Sequence, residues 1–249
     1  MDDAIRDNFL VKWRKYFGDA GLPITFYYTD DEGRAETVKP GTVHRCIIAA
    51  LQEVRKGKSM SFPAEAIGCF GGKRYLGFAQ KVMPNFDYFL SCGIPDKLEG
   101  ERYKKSPTLV NQAMLHQQPF QAPGRYIVFK RWDKLDESDD PQVAIFFAEP
   151  DVLAGLFTLA NFDQEEPNGV IAPFGSGCST IVYYPYFQRE SERPRAVIGM
   201  FDISARPFVE EKEISFSAPL AKFQTMVENM DESFLITKSW QLVKQRFAG

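Results

Sequence analysis

Val143-Ala144-Ile145-Phe146-Phe147 is a run of five apolar residues without a polar interruption. It is too short for a helix of its own and rich in strand formers, so it reads as a β-strand. Successive strand side chains point to opposite faces, and a strand exposed on one side alternates polar with apolar residues. An unbroken apolar run therefore requires cover on both faces. Tyr126-Ile127-Val128-Phe129 repeats the pattern, and Ala196–Phe201 supplies a third apolar strand.

Between and after these runs lie helix signals. Pro150-Asp151 opens a helix to about Ala160, Gly169–Ala172 reads as a strand, and Ser176–Tyr184 as the next helix. Ile214–Ser217 is a last strand before helices near Leu220–Asn229 and Ser239–Phe247. Upstream, Ile5, Phe9, Trp13 and Phe17 recur at about four residues and give a first helix over Ala4–Phe17, while Ile24–Thr29 reads as a strand. His44–Val54 is a buried helix, Met60–Phe62 a short strand, and Ser106-Pro107 a cap and first turn of a helix to about His116. Pro84, Gly93, Pro95 and Gly100 make the stretch from Met83 to Arg102 a loop region, with a lid as one role, and the acidic segment Asp133–Asp140 a loop tip.

The fold class expected is α+β / α/β, a mixed β-sheet flanked by helices in a single compact domain over 1–249. Its N-terminal part, about 1–120, decorates an α/β core of about 121–249. A chain of 249 residues with 22 Phe and 10 Tyr fills a large core without disulfides or metal staples.

A net charge of −3 argues against general nucleic-acid affinity. No apolar run approaches the ~18 residues of a membrane span, and the acidic N-terminus lacks the apolar stretch of a secretory leader. A cytoplasmic protein is expected, with Cys46, Cys69, Cys92 and Cys178 largely reduced.

Chemistry concentrates where Val170–Pro173 breaks into Phe174-Gly175-Ser176-Gly177-Cys178-Ser179-Thr180. A strand that hands over to a helix through small residues leaves free N–H groups beside a thiol, which suits an anion, a thiolate or a metal. It matches neither a dinucleotide fingerprint nor a P-loop. Cys178 is the candidate nucleophile, with His44 or His116 as base. The Gly68–Gly72 loop, too glycine-rich for regular structure, adds Cys69, Gly71 and Gly72. With Gly175, Ser176, Gly177, Cys178, Asp202 and Arg206 these form the candidate ligand-binding set, Arg206 serving as anion clamp. Cys69 and Cys178 are the candidate metal ligands, although no tight C-x-x-C pair exists. Glu65 and Glu149 lie beside turns and read as caps or salt-bridge partners. No cofactor and no reaction is assigned.

The helix with Cys46, the segments Cys69-Phe70-Gly71-Gly72 and Ala148-Glu149-Pro150-Asp151, Ala172–Cys178, and Gly199–Pro207 together resemble the prokaryotic domain of unknown function 169 family over nearly the whole chain. The resemblance implies family cysteines at Cys46, Cys69 and Cys178, leaves Cys92 without a counterpart, and supplies no reaction. Two readings follow. One is a binder of a small anionic ligand or metal cofactor at a Gly/Cys-rich pocket. The other is an interaction or structural module whose glycines and aromatics serve packing and a homodimer interface.

Overall fold

The computed structural model describes residues 3–42 and 46–247. Eight strands form one mixed sheet: β1 (Ile24–Thr29), β2 (Glu36–Thr37), β3 (Met60–Pro63), β4 (Tyr126–Arg131), β5 (Val143–Ala148), β6 (Val170–Ile171), β7 (Ala196–Gly199) and β8 (Ile214–Pro219). They lie in the order β2-β3-β4-β1-β5-β8-β7-β6.

The apolar run Val143–Phe147 lies in β5, and the six positions of that strand alternate strictly between two cores. Val143, Ile145 and Phe147 enter one, with Ile24, Phe26 and Phe129; Ala144, Phe146 and Ala148 enter the other. The helices on the first face are α2 (Ile47–Arg55), α3 (Phe70–Tyr75) and α7 (Tyr184–Gln188); those on the second are α1 (Asp3–Phe17), α6 (Pro150–Ala160), α8 (Leu220–Asn229) and α9 (Lys238–Lys244). Two further helices, α4 (Phe86–Phe89) and α5 (Pro107–Leu115), belong to the loop region between the halves. On the second face the α1 stripe is aromatic. Trp13 stacks on Phe17 at 4.1 Å, and Phe9 meets Phe223 edge-on at 5.0 Å.

The expected mixed sheet with flanking helices is therefore present, but its connections differ from simple strand-helix alternation. β1 runs antiparallel to both β4 and β5, and β8 antiparallel to β5 and β7; only β2 with β3 and β6 with β7 are parallel. β1, from the N-terminal part expected to decorate the core, stands between β4 and β5.

Three local readings change. Gly68–Gly72 does not stay irregular, because the Cys69 thiol accepts the Gly72 N–H at 3.0 Å and caps α3, which takes Gly71 and Gly72 into its first turn. The helix expected over Ser176–Tyr184 is present from Gly177, but it passes through a π-helical turn, Ser179–Tyr183, before running into α7. The strand expected over Gly169–Ala172 shortens to two residues. Val43, His44 and Arg45, ahead of α2, lie outside the described residues, and so does the start of the helix expected from His44.

Candidate functional site

The parallel pair β6 and β7 sends both C-terminal ends toward one place, as ligand-binding crevices of α/β sheets do. After β6 comes the Gly175–Cys178 turn; after β7 come Met200 and Asp202. The Gly177 N–H donates to Asp202 Oδ2 at 3.0 Å and ties the two loops together. Asp202 Oδ1 accepts from the Ser204 hydroxyl at 2.7 Å, the Ser204 N–H at 3.0 Å and the Tyr103 hydroxyl at 3.2 Å. Asp202 is thus a fully bonded anchor between loops.

Glycine at 177 is required by space. A Cβ there would stand 2.8 Å from Met200 Sδ and 3.0 Å from Ala205 Cβ. A Cβ on Gly175 would strike Ser179 Oγ. The π-helical turn is held by Thr180 Oγ1, which donates to Gly177 O at 2.9 Å and accepts the Met200 N–H at 3.3 Å. Met200 is fully buried at φ 68°, a left-handed conformation that costs a side-chain-bearing residue about 1 kcal/mol or more. A π-turn beside a strained, buried residue is a combination enriched at functional sites.

Three thiols meet here. Cys178 is 6% exposed, with Ser176 Oγ at 3.3 Å from its sulfur. Burial above all pushes its pKa far above the ordinary thiol value, and Cys69, Cys46 and Asp202 add to the shift. Cys46 immediately precedes α2. Burial raises its pKa too, against the Ile48 and Ala49 N–H groups, while Cys69 and Asp202 raise it further. Cys69 is half-buried at the start of α3. Cys46, Cys69, Cys178 and Asp202, from four separate segments, therefore stand within electrostatic reach of one another. No disulfide joins any of the four cysteines, and Cys92 is exposed, its sulfur 3.5 Å from Gly93 O.

The remaining expected site residues fall as follows. Gly71 and Gly72 lie beside the Cys69 sulfur, at 3.8 and 3.4 Å from where their Cβ atoms would be. Arg206 is engaged by its own turn: its guanidinium donates to Glu210 O at 3.2 Å, to Glu211 O at 2.6 Å and to Glu213 O. It closes the 206–213 turn. His116 is exposed at the C-terminal end of α5, Glu65 and Glu149 are exposed, and His44 lies outside the described residues. Among the described residues no group of three or more His, Cys, Asp or Glu side chains is arranged to hold a metal ion. No helix among them is long and apolar enough to cross a membrane.

Sequence reading missed the rim. Phe174 (65% exposed) packs edge-on against Tyr103 at 6.5 Å and carries Lys104 Nζ over its ring at 4.4 Å. Phe70, Phe201 and Ile203, each adjacent in sequence to Cys69 or Asp202, are also more than half exposed. The one available signal was large apolar residues inside glycine- and serine-rich loops. Two cavities, of about 570 and 470 Å³, lie elsewhere on the surface, and none of the thiols lines either.

The order of thiol reactivity follows from exposure and protonation. Iodoacetamide at mildly alkaline pH labels Cys92 first, then Cys69 and Cys46, and reaches Cys178 only on unfolding. Peptide mass spectrometry reads the order, and native-state labelling of Cys178 ahead of Cys69 would contradict the burial described above.

Neither a curated protein nor a solved structure matches the chain. DUF169, described as an uncharacterised ArCR, matches residues 20–229, a span that holds the thiols, the glycine turns and every strand of the sheet. On that match the chain belongs to the domain of unknown function 169 family.

Proposed function

We propose that this protein binds a small anionic ligand at the meeting point of the α2 and α3 starts, the 175–178 turn and the 200–204 loop. The reading rests on Cys46, at the start of α2, packing against the core cluster that holds Cys178, on the Gly177 turn lying against Ile48 of α2, and on Cys46, Cys69, Cys178 and Asp202 standing within electrostatic reach of one another. Sulfur at the edge of a sheet, next to a π-turn and a strained Met200, is more than core filling requires. Burial keeps Cys178 and Cys46 protonated, so they offer S–H donors rather than thiolates. That favours hydrogen bonding to an anion over coordination of a metal. Asp202 opposes such a ligand, as its effect on the thiols shows, and the Gly177, Ser204 and Tyr103 donors around its carboxylate lessen that opposition.

A packing role is the second reading, supported by the contact of the Gly177 turn with Met200, Ala205 and Ile48 in the apolar core. One experiment separates the two. Protein purified without oxygen is compared with Cys69→Ser and Cys178→Ser by native mass spectrometry and elemental analysis. A co-purifying small mass that both variants lose supports the ligand site. Stoichiometric metal lost in both variants replaces the anion with a metal cofactor. The same bound complement in all three proteins, or none in any, with Cys178→Ser altered only in stability, leaves the packing role and overturns the proposal.

A further inference from the structure

The larger cavity, about 570 Å³, lies between the 163–168 loop, the 191–195 loop and the first turns of α8. Its volume falls in the roughly 300–1,000 Å³ range of small-molecule sites, and charged side chains line it. Two of these charge pairs are already closed. Lys222 Nζ meets Asp163 Oδ1 at 3.0 Å, and Arg193 stands 3.8 Å from Glu166.

What the pairs leave over is specific. The Lys222 side chain is 4% exposed, yet its ammonium, with three donors, makes one hydrogen bond among the described residues. A buried cation with unmatched N–H groups is costly, and the cost falls when a second anion arrives. Arg195 bonds Gln188 Oε1 through Nε at 3.3 Å and leaves both terminal nitrogens without a protein partner among the described residues. Glu165 and Glu192 line the same cavity and have no ion-pair partner among the described residues. The unmatched groups are therefore one guanidinium and the spare ammonium donors on one side of the ledger, and two carboxylates on the other.

We propose that this cavity binds a cationic amino acid, a molecule with one carboxylate and two positively charged groups. Arg195 and Lys222 take the carboxylate, with the planar guanidinium offering two parallel donors. Glu165 and Glu192 take the α-ammonium and the side-chain cation. This charge count favours such a molecule over a simple anion, which would meet the exposed Glu165 and Glu192 carboxylates, and over a simple diamine, which would leave the Arg195 terminal nitrogens without a partner among the described residues. The site is separate from the thiol cluster, and either can fail without the other.

Isothermal titration of the full chain at low ionic strength tests it, with L-lysine and L-arginine as probes. Cadaverine lacks the carboxylate, and norleucine lacks the second cation. Binding of L-lysine or L-arginine with a dissociation constant on the order of 0.1 mM, at least about tenfold tighter than either control, is expected. Arg195→Gln and Glu192→Gln, both near the surface and outside the core, are each expected to weaken that binding about tenfold while leaving the thermal midpoint of the free protein unchanged. Equal affinity for cadaverine and L-lysine would overturn the carboxylate assignment. No binding of either basic amino acid, or binding indifferent to both substitutions, would overturn the site.

Discussion

Asp139→Asn is expected to lower folding stability by about 3–5 kcal/mol, the range for breaking a buried ion pair from one side. The Asp139 side chain is fully buried, and both carboxylate oxygens accept from Lys130 Nζ, at 2.9 and 2.8 Å. Oδ2 also accepts the Asp136 N–H at 2.9 Å, and Arg34 approaches Oδ1 at 3.5 Å. Lys130 itself is on β4 at a position facing away from the Ile127–Phe129 core, and the 133–142 loop folds over it. With an amide at 139, the buried ammonium keeps Asp136, at 3.2 Å and 58% exposed, as its one carboxylate partner among the described residues. Lys130→Met alone takes from Asp139 the cation that bonds both its oxygens, whereas Lys130→Met with Asp139→Leu removes both charges and should recover most of the loss. Urea denaturation of the two singles and the double checks this. Additive losses in the double would show that the pair is not coupled. The same network sets an acid limit. The Ser138 hydroxyl first, and Lys130 further on, hold the Asp136 pKa down to about 2. Its folded value is below its unfolded one, so its contribution is present above about pH 4 and is lost as pH falls toward 2. Since Asp136 is largely exposed, solvent screening keeps that contribution small beside the Asp139 effect.

That network shows where sequence reading ends. β5 was legible because cover on both faces removes every polar residue from a strand, a one-dimensional signal. The helices α6, α8 and α1 were legible through Pro150, Leu220 and the Phe9–Trp13–Phe17 spacing. Lys130 follows the apolar run of β4, and Asp133–Asp140 reads as an exposed acidic loop; nothing local says that one folds back onto the other. The central place of β1 is equally invisible, since strand order is decided by pairing between residues about 100 apart. Within the site, the glycine turn and Cys178 were legible as a break in an apolar run. The family resemblance marked Cys46, Cys69 and Cys178 as family cysteines, and glycine-rich contexts singled out Cys69 and Cys178 as a pair; spacing pointed to neither. Arg206 read as an anion clamp because a free guanidinium near a turn is a reasonable clamp; three backbone carbonyls of its own turn are a nearer partner. Gly71 and Gly72 argued against a helix by propensity, and the Cys69 cap overrode it; space requires glycine at 72, where a Cβ would lie 3.1 Å from Ile67 Cγ2.

The π-helical turn was read as ordinary helix because its cause lies on another strand, and Gly199→Ala should expose that cause. Gly199 has no positive φ, so alanine meets no backbone penalty there. Its Cβ, however, would fall inside contact distance of Thr180 Cβ and Oγ1. Thr180 cannot swing aside, because its Oγ1 is bonded to Gly177 O and to the Met200 N–H, and its side chain is buried. Nor can β7 retreat, since Gly199 is in register with Ser215 on β8. The overpacking therefore has to displace the Ser179–Tyr183 turn and, with it, Cys178. A loss of about 3 kcal/mol is expected, the upper end of the range for added methyl groups in well-packed cores. Cys178 should also become reactive toward iodoacetamide without global unfolding. Thr180→Ser should not rescue the variant, because the striking Cβ remains. Thr180→Gly should relieve the clash while giving up two hydrogen bonds, each worth about 1 kcal/mol. A Gly199→Ala protein with the native denaturation midpoint and a protected Cys178 would mean that the turn owes its shape to its own sequence and not to the glycine beneath it.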